Sequence, residues 1–218
     1  MTFGRCHCWG IKYSRARWIM SSSRPIQRST SGGFLNRMIR AARLDATLYA
    51  ELTADATATR QALTVVALVA LAHGVGGIIR GVSFEWNPLS GSLFGMLGEI
   101  AFFSVASLVI YLLGRYVLGG KATYAQVVRP LGFSVVPGLL ILIAALASLP
   151  GVGVEAHVFI VLAAWRLAAG YIAVRQALVL GAWKCTVALL AGVLSGMVAV
   201  VIATRVLFGV LRLAGVSS

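Results

Sequence analysis

Residues 185–204 read CTVALLAGVLSGMVAVVIAT, a run of 20 residues without a charged side chain. At about 1.5 Å per residue, a helix of this length covers about 30 Å, which is the thickness of the hydrocarbon core of a bilayer. A run this long and this apolar is typical of a membrane-spanning helix. The sequence therefore predicts at least one transmembrane segment near the C-terminus.

Four similar segments precede this one. The chain of 218 residues is 59% hydrophobic and only 11% charged, whereas a soluble domain carries about 25% charged residues. We therefore predict an all-α polytopic membrane bundle of five transmembrane helices. A Pro-Gly pair at 150–151 separates the third span from the fourth, and Pro137 is expected to kink the third. The predicted spans lie near 61–79, 93–114, 131–149, 156–174 and 185–204.

The two ends of the chain have a different composition. Nine of the 19 basic residues precede Asp45 and no acidic residue does. We expect residues 1–33 to be a disordered basic arm, and alternative starts at Met20 and Met38 make it a candidate non-native extension. The arm has no apolar core typical of a signal peptide. Residues 206–218 are expected to form a short tail.

An amphipathic helix is predicted over 34–52, before the first span. Its basic face carries Arg37, Arg40 and Arg43, which suit the phosphates of an anionic inner leaflet. An ordinary surface helix packed on the bundle is the alternative. Beside a membrane domain, this basic region favours lipid over nucleic acid, and we expect no nucleic acid to bind. The apolar face consists of Phe34, Leu35, Met38, Ile39, Ala42, Leu48, Tyr49 and Leu52.

The loops predict the orientation. Basic residues lie in the second and fourth loops, and the first and third loops hold Glu85 and Glu155. By the positive-inside rule, the N-terminus is cytoplasmic and the C-terminus is outside, in the cell membrane. Arg205 and Arg212 oppose this arrangement. The basic loop residues are Arg115, Lys121 and Arg129, then Arg175 and Lys184.

No motif indicates catalysis, a cofactor or a metal. The segment 119–121 (GGK) is not a P-loop, because Arg115 stands at the first glycine position and Ala122 replaces the Ser or Thr that binds Mg²⁺. The cluster 6–8 (CHC) is too short for a zinc site. Three GxxxG pairs occur, of which Gly192 and Gly196 lie well inside a span, and we expect internal packing there.

Three polar residues lie within the predicted spans: Glu99, Arg166 and His73. Glu99 is about 9 Å along its span and Arg166 about 15 Å, but the arginine side chain leans back toward its helix start. We therefore predict an intramembrane ion pair between Glu99 and Arg166, with His73 nearby. Such a pair either fixes the helix register or lines a polar path, and cancelling charges favour the first.

Several elements of residues 34–205 resemble the YIP family of Ypt/Rab-interacting membrane proteins, most closely its prokaryotic branch. These are 40–45 (RAARLD), 54–59 (ADATAT), 174–178 (VRQAL) and 131–137 (LGFSVVP), in which Gly132, Phe133 and Pro137 are similar to the family's Gly-aromatic-x-x-x-Pro element. The resemblance implies a five-span, non-enzymatic protein of trafficking or membrane organisation. The Asp-Leu-Tyr-Gly-Pro element of eukaryotic members is absent, so binding of GTPases is not carried over.

Two functions follow from these features. The first is a membrane scaffold that binds a protein partner or a second copy of itself. The second is a small transporter or channel that uses the layer of Glu99, His73 and Arg166. An enzyme is not expected, because no nucleophile–base pair is evident.

Overall fold

The computed structural model describes residues 33–83, 87–147 and 155–213, and within these ranges every regular element is helical. Two short helices of nine residues each precede the bundle. In chain order the helices are α1 (Phe34–Ala42), α2 (Ala46–Ala54), α3 (Ala58–Ser83), α4 (Pro88–Leu112, continued by a π-helical turn Leu113–Val117), α5 (Tyr124–Ser134), a 3₁₀ turn (Val136–Leu140), α6 (Ile141–Ala147), α7 (Glu155–Leu178) and α8 (Ala182–Leu213).

Within the residues that the structure describes, five segments are long and apolar enough to cross a membrane, which confirms the predicted fold class. The second begins five residues before the expected position, because Asn87 caps α4 and Pro88 occupies its first turn. The cap accepts a hydrogen bond of 2.9 Å from the Leu89 amide. The segments are Ala58–Arg80, Pro88–Val117, Tyr124–Ala147, Ala156–Leu178 and Ala182–Val210.

The prediction of a single amphipathic helix over 34–52 is wrong, because two helices occupy this region. Leu44 lies between them with a φ of 60°, in the left-handed region that ends a right-handed helix. Asp45 then starts α2 as its N-cap and accepts 2.9 Å and 2.6 Å hydrogen bonds from the amide and hydroxyl of Thr47. Only α1 keeps the amphipathic pattern.

The helix pair α1–α2 packs against α5 and α7. The Tyr49 hydroxyl is buried and donates a 3.1 Å hydrogen bond to the Ala41 carbonyl. The Trp165 indole of α7 donates one of 2.9 Å to the carbonyl of Ala42. The pair is therefore part of the packed structure.

The third span is interrupted near its middle. It starts with a capping box at Thr123 and Gln126, and α5 ends at Ser134. Pro137 then lies in the first turn of the 3₁₀ segment, where its missing N–H requires no helical acceptor. The kink expected at Pro137 is therefore a change from α-helix to 3₁₀-helix before α6.

Glycines let several helix backbones approach each other inside the bundle. A Cβ at Gly77 of α3 would overlap the carbonyl of Gly91 on α4, so these two helices touch through their backbones. On α8, Gly192 lies against Ile110 and Gly196 against Phe102. The pair Gly192 and Gly196 thus packs internally.

Candidate functional site

The three polar residues predicted within the spans lie at one level of the bundle. Glu99 comes eleven residues after the start of α4, and Arg166 comes eleven residues after the start of α7. His73 precedes the end of α3 by ten residues. These offsets correspond to about 15–17 Å along each helix. For Glu99 the distance from the helix start exceeds the expected 9 Å, because α4 starts before the predicted span.

Glu99 and Arg166 form a bidentate ion pair. Nη2 of Arg166 lies 2.6 Å from Oε1 of Glu99, and Nη1 lies 3.2 Å from Oε2. The side chain of Glu99 is only 5% exposed, and that of Arg166 is 22% exposed. This two-pronged geometry is the strong form of a charged hydrogen bond. Because the two charges cancel, these residues add no net charge to the interior of the bundle.

His73 lies beside the pair without a direct hydrogen bond to it. Its Nε2 is 3.6 Å from Oε2 of Glu99, which is too long for such a bond. Its Nδ1 is 2.9 Å from the carbonyl of Val69. Because a carbonyl only accepts, Nδ1 carries a proton in this contact.

The guanidinium of Arg166 also contacts the second and third spans. It lies over the ring of Phe102, with Cζ 5.9 Å from the ring centroid. On the third span, a Cβ at Gly138 would lie 3.2 Å from Nη1. Gly138 therefore leaves space for the guanidinium. Sequence reasoning missed it, although its position after Pro137 marked a break in the helix.

The ion pair lies at the wall of an intramembrane cavity of about 540 Å³. In the described residues, α4 and α7 do not pack closely on each other, and the pair bridges the space between them. The lining is mainly apolar, with hydroxyls only at Ser107 and Ser134. We call this cavity the cleft. The charged and imidazole side chains in its lining are Glu99, Arg166 and His73.

The element Gly132, Phe133 and Pro137 has a structural position near this site. A Cβ at Gly132 would lie 2.7 Å from the Cβ of Ala62, so the third span contacts the first through this glycine. Phe133 is fully buried and its ring meets that of Phe34 edge-on at 6.4 Å. Pro137 precedes Gly138, so the element sets the path of the third span toward Arg166.

A model of the Yip1 domain matches residues 46–204, which include the first four spans, most of the fifth and the charged layer. The chain belongs to the Yip1 family. The resemblance to the YIP family found in the sequence is therefore confirmed. Searches of curated proteins and of solved structures gave no match.

Helix α1 of this Yip1-family protein lies before the matched range, and its arginines differ in their contacts. Arg37 donates 2.8 Å hydrogen bonds to Asp55 and Gln61. Arg40 binds both Asp45 and Glu51. These partners were missed by the sequence reasoning, because they come together only when the chain reverses at Leu44.

Arg43, which caps the C-terminal end of α1, stays exposed, and no described residue pairs with it. Leu35 and Ile39 are also exposed, by 71% and 50%, despite their apolar side chains. An exposed cation beside exposed aliphatic side chains suits the boundary between water and lipid. Of the three arginines expected to face lipid, Arg37 and Arg40 are paired with carboxylates, whereas Arg43 can bind a lipid phosphate.

The carboxylates that hold the α1–α2 pair are strongly stabilised in their charged form. The hydrogen bond from the Thr47 hydroxyl, together with Arg40, lowers the pKa of Asp45 to about 2 against the opposing effect of partial burial. The hydrogen bond from the Thr57 hydroxyl, together with Arg37, likewise lowers the pKa of Asp55. The contacts between these residues therefore depend on ionised carboxylates.

Metal binding has no candidate site in the parts of the chain that the structure describes, where no three His, Cys, Asp or Glu side chains converge. The cluster Cys6, His7 and Cys8 lies outside the described residues. The chemistry available to the charged layer is therefore that of a paired carboxylate and guanidinium with a neighbouring imidazole.

Proposed function

We propose that this Yip1-family chain is a non-enzymatic membrane scaffold, which is anchored by its five helices and binds protein partners at the membrane surface. The observation that carries the proposal is the bidentate pair between Glu99 and Arg166. Two opposite charges that cancel in a buried pair suit a role in fixing which helices lie side by side. They suit a moving ion less well, because neither charge is free to exchange its partner.

The distribution of ionisable groups supports the same proposal. A proton path needs titratable groups in succession across the membrane. Within the described spans, the charged and imidazole side chains that lie away from the span ends gather at the single level of Glu99, Arg166 and His73. Ser107 and Ser134 extend the polar lining of the cleft but do not titrate in the physiological range.

The surface that we assign to partners and lipid is helix α1. We infer that it lies on the anionic inner leaflet of the cell membrane, with the N-terminus cytoplasmic and the C-terminus outside. Arg129 in the first turns of α5 supports this arrangement, because it donates to the Thr59 hydroxyl and the Thr53 carbonyl and so ties the basic start of the third span to the end of α2. Arg43 would meet lipid phosphate, and Leu35 and Ile39 would meet a partner or the acyl boundary.

Partner binding is tested by photocrosslinking in native membranes. A photoreactive amino acid replaces Ile39 on α1 and, as a matched control, the exposed Ala50 on α2. The scaffold proposal expects a discrete protein adduct of fixed stoichiometry, or a dimer of this chain, from position 39 and not from position 50. Adducts with lipid alone at position 39 would contradict partner binding through α1.

A small transporter or channel is the second candidate, and the cleft favours it because the cavity reaches all three charged residues. Proteoliposomes loaded with a pH-sensitive dye discriminate the two functions. The scaffold expects no proton or cation flux above that of empty liposomes. The transporter expects flux that is lost in the Glu99→Gln variant.

A further inference from the structure

The fourth and fifth spans are in contact along only part of their length. Near the end of α7 and the start of α8, Gly170 lies against Leu189, and Ala173, Ala177 and Cys185 are buried. Further along, Leu167 on α7 is 42% exposed and Met197 on α8 is 59% exposed. Both residues line the cleft. The two helices therefore separate, and the cleft opens between them.

The open side of the cleft faces hydrocarbon in a membrane. Leu167 and Met197 lie at its mouth, and they are flanked by exposed aliphatic residues such as Val161 and Leu194. Water is disfavoured along the apolar part of the lining, and empty space there sacrifices the packing contacts of the side chains around it. An apolar chain from the bilayer itself would fill the space without bringing water into it.

The inner wall of the cleft offers hydrogen-bond donors. A guanidinium has five N–H groups, and the contacts of Arg166 with Glu99 engage one on each terminal nitrogen. No other described side chain or carbonyl accepts from Arg166, and its side chain is 22% exposed at the cleft. Because Glu99 already balances the charge of Arg166, the inner wall does not require an anionic occupant.

We propose that the cleft between α4, α7 and α8 binds one glycerophospholipid of the surrounding bilayer, with an acyl chain among the apolar side chains and the headgroup at the membrane surface. The acyl chain matches the lining of Phe94, Phe102, Leu167, Met197 and Val200. The cavity volume of about 540 Å³ lies within the usual range for small-ligand sites.

A helix from a second copy of the chain is a bulkier occupant, about 10–12 Å across with its side chains. A single acyl chain is much thinner than a helix and enters through the gap between Leu167 and Met197.

Two adjacent alanines provide a matched pair of variants. Ala163 and Ala164 are both exposed on α7, but only Ala163 lines the cleft. Neighbouring helical residues point about 100° apart. Ala163→Trp therefore fills the mouth of the cleft, whereas Ala164→Trp adds the same side chain to the lipid-facing surface beside it.

Native mass spectrometry of the full chain in detergent, with added palmitoyl-oleoyl phosphatidylglycerol or phosphatidylethanolamine, tests the proposal. We expect one retained phospholipid of either type per chain, a loss of about tenfold or more in occupancy for Ala163→Trp, and no change for Ala164→Trp. If Ala163→Trp does not give a monodisperse protein, Met197→Trp replaces it.

Three results would overturn the proposal. The first is a wild-type chain that retains no lipid under these conditions. The second is equal retention by the wild type and the cleft-filling variant. The third is retention that follows the charge of the headgroup and ignores the Ala163→Trp change, since that lipid would lie on a basic surface such as that of Arg43 instead.

Discussion

Arg166 of the fourth span binds Glu99 of the second through both terminal nitrogens, at 2.6 Å and 3.2 Å. These two contacts join helices that have little other contact in the described residues. We therefore expect the position of the second span relative to the fourth to depend on this pair, and it is the first feature to test.

Removing one partner of this pair is expected to destabilise the folded protein more than removing both. Glu99→Gln leaves Arg166 without its carboxylate and Arg166→Met leaves Glu99 without its cation, and breaking a buried pair costs about 3–5 kcal/mol. The double variant contains no unpaired charge, so we expect it to recover most of the loss. The measurement is the amount of folded, membrane-inserted protein together with its melting temperature in detergent.

The exposed Arg205, changed to Met, is the control for loss of a positive charge. Normal accumulation of both single variants would show that Glu99 and Arg166 are solvated rather than paired in a dry environment. That outcome would favour a water-filled cleft and make the flux experiment decisive.

The glycine contact between α3 and α4 predicts a position-dependent effect of adding one methyl group. Gly77→Ala places its Cβ on the carbonyl of Gly91, so the helices must separate, and we expect a loss of about 1–3 kcal/mol. Gly209→Ala on α8 meets no atom within 4 Å and should be neutral or stabilising by up to about 1 kcal/mol. Thermal unfolding in detergent measures both, and equal melting temperatures would refute close contact at Gly77.

The buried hydroxyl of Tyr49 predicts the strength of the α1–α2 association. Tyr49→Phe leaves the Ala41 carbonyl without the 3.1 Å hydrogen bond, and we expect a loss of about 0.5–1.5 kcal/mol. Tyr116 is 71% exposed, so Tyr116→Phe serves as the control and should have no effect. Hydrogen exchange of the amides in α2 reports the change, and unaltered exchange in Tyr49→Phe would contradict it.

Acid is expected to loosen the α1–α2 pair. The pKa of Asp45 falls from its ordinary 3.8 to about 2 in the folded chain, so its contribution to stability is complete above pH 4 and is lost as the pH falls toward 2. Asp55, whose pKa is also lowered, acts in the same direction. Fluorescence of Trp165, in a variant whose other four tryptophans are phenylalanine, should change over this interval.

Asp45→Asn provides the control for this titration. It removes the ionisable group at the N-cap while an amide still accepts from Thr47, so we expect a smaller fluorescence change between pH 4 and pH 2. The double change Asp45→Asn and Asp55→Asn should remove most of it. An unchanged titration in the double variant would assign the transition to other groups.

The fold was predictable from the sequence where a single physical effect dominates. Long apolar runs identify the spans, because charged residues are costly in hydrocarbon. The contact between Glu99 and Arg166 was predictable because distance along a helix gives depth in a membrane. The start of α4 at Pro88 was not found, because the cap at Asn87 precedes the apolar run and belongs to helix chemistry rather than hydropathy.

Features that depend on tertiary structure could not be predicted in this way. The reversal at Leu44 needs a non-glycine residue with a positive φ, which local sequence disfavours and packing must enforce. The pairing of Arg37 with Asp55 exists only after that reversal. The space that Gly138 leaves for Arg166 likewise depends on how the third span approaches the fourth.

Trp165 and Arg166 are consecutive residues of α7, and each connects that helix to a different part of the molecule. The indole is hydrogen-bonded to the end of α1, and the guanidinium reaches α4 across the cleft. A small rotation of this one helical turn would displace both contacts together. This one turn of α7 is thus the common attachment point of α1 and α4, held through two neighbouring side chains.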